Sequence, residues 1–182
     1  MINKFGWSMV ILKGRTVILR SVKQSDLQLF RDWRNSAIIR EFNTQFTLLN
    51  MKQQNFWFQS LSDKKKDKSM FTITEKKNIV IGICGLTNID WKNRNASVAI
   101  IIGRTDLHSK GFGTESLDLL LEYGFKELKL HRIVADILEF NHKSIVFFEK
   151  FGFQLDAVFR DYLFRNRKWW KLFSYSKIIN DN

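Results

Sequence analysis

The stretch that most constrains this chain lies between Ala96 and Leu128. It opens with ASVAIIIG, a nearly continuous apolar run of the length and β-branching of a strand buried on both faces. LHSKGFGTES follows, from Leu107 to Ser116. Leu117, Leu120, Leu121, Phe125 and Leu128 then recur at helical spacing, which predicts a helix over Gly111 to Leu128. A strand, a glycine loop and a helix in this order place the unpaired N–H groups of a first helical turn at the end of a sheet. The helix dipole adds partial positive charge there. Gly111 and Gly113 remove side chains that would block close approach, Lys110 adds a full charge, and Thr114 can donate a hydroxyl. A pyrophosphate fits this chemistry. The phosphate-loop ATPase pattern does not match, because it needs a longer glycine spacing and a Gly-Lys-Thr end. The dinucleotide fingerprint fails too, for want of a third glycine and a parallel sheet.

The flanking segments predict one domain. TVILR at Thr16 to Arg20 reads as a strand. SDLQLFRDWRNS reads as a helix with Ser25 as its cap, and a second helix starts after Asn50. SMFTITE and IVIGICGLTNIDW read as strands on either side of a Lys-Asn turn. HRIVADIL is a further strand, and Asn141 caps a short helix that ends at Gly152. FQLDAVFRDYLF and KWWKLFSYSKII, joined by RNR, read as an antiparallel hairpin. This order predicts a single α/β (α+β) domain spanning 1–182, on a mixed, mostly antiparallel sheet flanked by helices, with 1–14 as an N-terminal packing arm.

Composition narrows the chemistry. Thirty Lys and Arg against eighteen Asp and Glu give a net charge of +12, which favours anionic partners. SDKKKDKS at Ser62 to Ser69 reads as a solvated loop rather than a nucleic-acid site. The single cysteine, Cys84, lies in an apolar run and reads as a small buried hydrophobe. With no internal disulfide, no membrane-length apolar run and no cleavable leader, the expected setting is cytoplasmic, with no membrane partner. No Cys/His spacing suggests a metal.

SKGFGTESLDLLLEYGFKELKLHRIVADILEFNHKSIVFFEKFGF resembles the acetyl-CoA-binding core of the GNAT superfamily of N-acetyltransferases, in the branch holding ribosomal-protein, polyamine and amino-sugar enzymes. The family loop, Gln/Arg-x-x-Gly-x-Gly/Ala, is matched by His108-Ser109-Lys110-Gly111-Phe112-Gly113, with His in place of Gln or Arg. The second signature is matched by Asn141, Ser144, Gly152 and Phe153. The resemblance implies acetyl-CoA or another short acyl-CoA as co-substrate, and two splayed parallel strands, Ala96–Ile102 and His131–Leu138. It implies that backbone groups at Ile100, Ile101 and Ile102 bond the pantetheine arm, that His108 to Thr114 hold the pyrophosphate, and that Asn141 and Ser144 serve the arm. At the usual position of a proton-donating tyrosine stands Phe148, which the resemblance places against the acyl-CoA, and at that of a common glutamate stands Ser97, which can only position a water. Glu139, Asp136 and His131 are alternative bases.

For the acceptor, Trp33-Arg34-Asn35 resembles amino-sugar acetyltransferases of surface-glycan pathways, which implies a nucleotide-linked amino sugar. The basic balance agrees with a polyanionic acceptor. Protein N-terminal acetylation, polyamine acetylation, which would need a carboxylate cluster that the sequence does not show, and a non-catalytic basic binding module stand as alternatives; a homodimer is compatible with the sequence. Trp57, Trp169 and Trp170 are candidates to stack on a base.

Overall fold

The computed structural model describes residues 10–44, 46–62 and 67–179. Residues 1–9 of the expected arm and 63–66 of the basic loop lie outside them. Strands β1 (Ile11–Lys13), β2 (Val17–Ser21), β3 (Ser69–Glu75), β4 (Val80–Asp90), β5 (Asn95–Ile102), β6 (Arg132–Leu138), β7 (Gln154–Arg165) and β8 (Lys168–Ile178) form one sheet. Their order is β1-β2-β3-β4-β5-β6-β8-β7. Every pairing is antiparallel except that of β5 with β6. The end of the arm, Ile11–Lys13, is thus an edge strand.

Helices α1 (Leu27–Asn35), α2 (Ala37–Arg40), α3 (Met51–Ser60), α4 (Phe112–Glu122) and α5 (His142–Lys150) cover the sheet. Which face each covers follows from the two-residue period of a strand. Ile83 and Ile101 are register partners and meet Leu27, Phe30, Trp33 and Trp57 of α1 and α3. Cys84 and Ile100, one residue along, are partners on the opposite face, where Leu117, Leu120, Leu121 and Phe148 of α4 and α5 complete the larger core. Among the described residues no helix is long and apolar enough to cross a membrane.

Four local expectations change. The turn before α1 begins a residue earlier than Ser25: a 3-10 turn spans Gln24–Asp26, and the Asp26 carboxylate accepts the Lys23 N–H at 2.8 Å. The short helix α2 carries no periodic signal of its own. The helix after the glycine loop stays α-helical only to Glu122 and widens into a π turn over Tyr123–Glu127. Strand β5 is not buried on both faces; Ala99 is exposed and most of its neighbours are half-buried, because β6 turns away beside it. The Asn50 cap holds as expected, with Asn50 Oδ1 accepting Gln53 N–H at 2.9 Å and Gln53 Oε1 accepting Asn50 N–H at 2.8 Å.

Candidate active site

The parallel ladder between β5 and β6 runs Asn95↔Arg132, Ala96↔Ile133, Ser97↔Val134, and stops. Both strands continue on their outer sides, β5 with β4 to Ile102 and β6 with β8 to Leu138. A wedge-shaped gap therefore opens after Ser97 and Val134. Backbone N–H and C=O groups of Val98–Ile102 and Ala135–Leu138 that would complete a ladder face the gap instead. Such groups need partners, and a ligand with amide groups can supply them. Ser97 stands at the apex. Ile100 and Ile102 turn toward α4, and Ile101 toward α1.

At the end of β5 the chain turns through Thr105–Leu107 into the glycine loop. The His108 imidazole Nε2 lies 2.8 Å from the Ile102 carbonyl oxygen and ties the loop to the strand end. Ser109 and Gly111 have φ of 61° and 87°, and α4 begins at Phe112. Gly111 is required by that left-handed backbone. Gly113 is not required by the protein: a Cβ there would meet only Ile102 Cγ1, at 3.6 Å. Lys110 and Thr114 are exposed beside it, while Phe112 packs against the core. The carboxylate of Glu115, in the same helical turn, is occupied by Thr16, whose N–H donates at 2.8 Å and whose hydroxyl also donates. Burial pushes its carboxyl up, but the Thr16 bonds outweigh this and hold it below the usual range.

Beyond β6, Asn141 Oδ1 accepts the Ser144 N–H at 3.2 Å and caps α5. Two of the four residues of the second signature, Asn141 and Ser144, thus meet at the mouth of the gap. Glu139 is half-buried, its N–H donating to Lys171 O at 3.1 Å, and Asp136 is exposed on β6 beyond the apex. Three expectations are corrected here. Phe148 is in the core, only 6% exposed, its ring 5.3 Å from that of Phe147 and 5.0 Å from that of Phe153; packing rather than ligand contact accounts for it. His131 precedes the paired end of β6, so the ladder separates it from the open end, and it is misplaced for a base. Asn35 holds a loop: its Nδ2 donates to Leu49 O and its Oδ1 accepts from Leu49 N–H, each at 2.8 Å. That amide is committed to backbone 14 residues away rather than presented to a sugar.

Trp33 lies against Gly103, at the end of β5, and Arg34 is half-buried, its pKa lowered by desolvation. Trp57 is part of the α1–α3 core, Trp169 is exposed, and Trp170 packs edge-on to Phe140, with centroids 4.8 Å apart. Cys84 is fully buried, and burial pushes its thiol far above the usual value, which removes it as a nucleophile. No group of three or more His, Cys, Asp or Glu able to hold a metal occurs among the described residues. Sequence reasoning missed Arg165, whose partners are the carbonyls of Glu41 and Asn43, more than a hundred residues away. No local pattern announces such a contact.

The family model of the acetyltransferase (GNAT) domain matches residues 16–154. An uncharacterized N-acetyltransferase of Bacillus licheniformis, p20, is 31% identical over 159 residues, covering 85% of this chain and 88% of that protein. The spermidine N(1)-acetyltransferase of Escherichia coli K12 is 25% identical, covering 84% of this chain and 81% of its own. Among solved structures, the spermidine N-acetyltransferase of Vibrio cholerae in complex with CoA and spermine superposes with a TM-score of 0.84 at 20% identity, covering 91% of this chain and 96% of that one. With the splayed β5–β6 pair leading into the glycine loop and α4, these matches mean that the chain belongs to the GNAT family and is an N-acetyltransferase.

Proposed function

We propose that the protein transfers an acetyl group from acetyl-CoA to the primary amine of a small polyamine-class acceptor. The observation that carries the donor half is the ladder that stops at Ser97 and Val134 while both strands stay paired outward. In this reading the pantetheine arm lies in the gap and completes the strand edge at Ile100, Ile101 and Ile102, with Asn141 on the other bank. The pyrophosphate rests on the first turn of α4, at His108, Ser109, Lys110, Gly111, Phe112, Gly113 and Thr114. The open space at Gly113 supports that fit.

The amine lone pair forms the new N–C bond to the thioester carbonyl. The C–S bond then breaks, the thiolate takes up a proton, and the amine gives one up. A backbone donor at the β5 edge, fixed before reaction, stabilises the oxyanion by roughly 3–4 kcal/mol. Phe148 cannot protonate the thiolate, so water does. In this reading Ser97, at the apex, holds a water, and Glu139 receives the amine proton.

The similarity to the E. coli spermidine enzyme supports a polyamine. Asp136, exposed on the β6 strand that bounds the gap, is compatible with a cationic acceptor. The named relatives give a nucleotide-linked amino sugar no support. What favours it is the Trp33-Arg34-Asn35 triplet, of which Asn35 is committed to Leu49, and the net charge of +12, a long-range field that local carboxylates can override at the site. Thiol release by the purified protein, measured with acetyl-CoA against spermidine, nucleotide amino sugars and N-terminal peptides, tests both. Spermidine turnover well above the other acceptors is expected; the reverse order overturns the polyamine reading.

A further inference from the structure

Arg165 is the last residue of β7, at the tip of a hairpin closed by Asn166 and Arg167, both with positive φ. Strand β6 pairs with β8 only as far as Leu172, so the tip projects beyond the sheet as a two-stranded ribbon. An arginine at such a tip is ordinarily solvated. This one is only 8% exposed. Its guanidinium donates to the carbonyl of Glu41 and, at 2.7 Å, to that of Asn43. It stands 4.4 Å from the ring centroid of Phe46 and 5.9 Å from that of Phe140. Its own carbonyl accepts the Trp170 indole N–H at 3.1 Å, and Trp170 packs on Phe140. Phe42 reaches the other side of Phe140, with centroids 6.1 Å apart.

Phe140 lies between Glu139 and the cap Asn141. One guanidinium therefore ties the backbone that follows α2 to the hairpin tip and to the turn that leaves β6 at the mouth of the gap. We propose that Arg165 is a positioning residue that fixes the wall of the acceptor site formed by Glu41–Thr44, Phe46 and Phe140, and so sets which amines reach the thioester. The proposal rests on the acetyltransferase reading for the position of the acceptor, not on the acceptor's identity. A lysine cannot replace the fork, since it is a point charge without two parallel donors. The aromatic faces add cation–π attraction that an apolar side chain would lose.

The test compares wild type, Arg165→Ala, Arg165→Lys and Phe46→Ala, using spermidine as acceptor and deuterium exchange as an activity-independent readout. In Arg165→Ala the spermidine KM should rise by about tenfold while the acetyl-CoA KM stays within about twofold. Arg165→Lys should recover only part of the loss. Phe46→Ala, which also removes the ring under Arg40, should give the same split, and the double variant should cost less than the product of the single effects, because Arg165 and Phe46 share a contact. Amide exchange should rise at Glu41–Thr44 and at Phe140 together, with the α5 cap at Asn141 and the first turn of α4 unchanged. An equal rise of both KM values, or exchange that rises at the hairpin alone, overturns the proposal. If wild type does not acetylate spermidine, the acceptor reading fails, and the exchange pattern still decides the role of Arg165.

Discussion

Trp33 and Gly103 stand so close that a Cβ on Gly103 would fall within the indole ring. Gly103 is buried where β5 ends, and Trp33 is in the last turn of α1. This contact docks the first helix onto the strand that bounds the gap. Gly103→Ala should therefore cost about 1–3 kcal/mol through overpacking. Adding Trp33→Leu should recover much of that loss, since the two residues share one contact. Urea denaturation of the three variants measures it. A Gly103→Ala protein as stable as wild type would contradict the contact.

Gly113 and Lys110 separate shape from charge in the glycine loop. The protein leaves room for a Cβ at Gly113, so Gly113→Asp should fold normally. It should nonetheless lose acetyl-CoA affinity by roughly 3 kcal/mol, or about a hundredfold, by pointing a carboxylate at the pyrophosphate. Lys110 is exposed, so Lys110→Ala should cost about 1 kcal/mol or less. Isothermal calorimetry with acetyl-CoA decides; equal affinities for Gly113→Asp and wild type would remove the pyrophosphate from this turn.

What was legible in the sequence follows the range of the interactions. The Asn50 and Asn141 caps, the glycine loop and the long hairpin are set by residues within a few positions of one another, and patterns of that length can be read directly. Most strands were legible as short apolar, β-branched runs bounded by turn residues. The splay of β5 from β6 was reached only through family resemblance, because nothing inside either strand says where their ladder ends. The triplet Trp33-Arg34-Asn35 was legible as a motif but not as a set of roles. Its tryptophan meets residue 103 and its asparagine meets residue 49, and neither partner can be inferred from the triplet. Arg165 was invisible for the same reason: hairpin tips are usually polar, and its partners come from the other end of the chain.

Asp26 anchors α1 to the sheet through charge. Its carboxylate takes both Arg20 donors, at 2.7 and 2.9 Å, and the Thr72 hydroxyl at 2.7 Å. Burial pushes its pKa up, but Arg20, the Lys23 N–H and Thr72 outweigh it, and the folded value lies below the usual one. A carboxyl depressed in the folded state contributes stability above its unfolded pKa and loses it as pH falls through the folded value. Asp26→Asn should cost about 3–5 kcal/mol at pH 7, because it leaves Arg20 without its counter-charge. The gap between variant and wild type should begin to narrow below about pH 4, where the unfolded wild-type chain takes up the proton, and close only below the depressed folded value. Chemical denaturation at pH 7 and pH 3 tests this; a gap that is constant or widens in acid would contradict the sign.

Asp136 and Glu139 distinguish the two acceptor classes and two roles for a carboxylate. Asp136 is exposed on β6 beyond the apex, and Glu139 lies half-buried past the strand end. For a polycationic acceptor, Asp136→Asn should raise the KM by roughly fivefold, the effect of about 1 kcal/mol expected of an exposed charge pair, and leave kcat nearly unchanged. Glu139→Gln should instead lower kcat, since an amide cannot take the amine proton. Rising ionic strength should weaken spermidine binding in wild type and much less in the Asp136→Asn variant, because the attraction being screened has been removed. An anionic nucleotide-linked amino sugar reverses the pattern: Asp136→Asn would tighten it, and Arg34→Ala would weaken it. Steady-state kinetics of these three variants at two salt concentrations therefore give opposite signs for the two acceptor classes. A spermidine KM indifferent to both carboxylates and to salt would place the amine elsewhere than at the open side of β6.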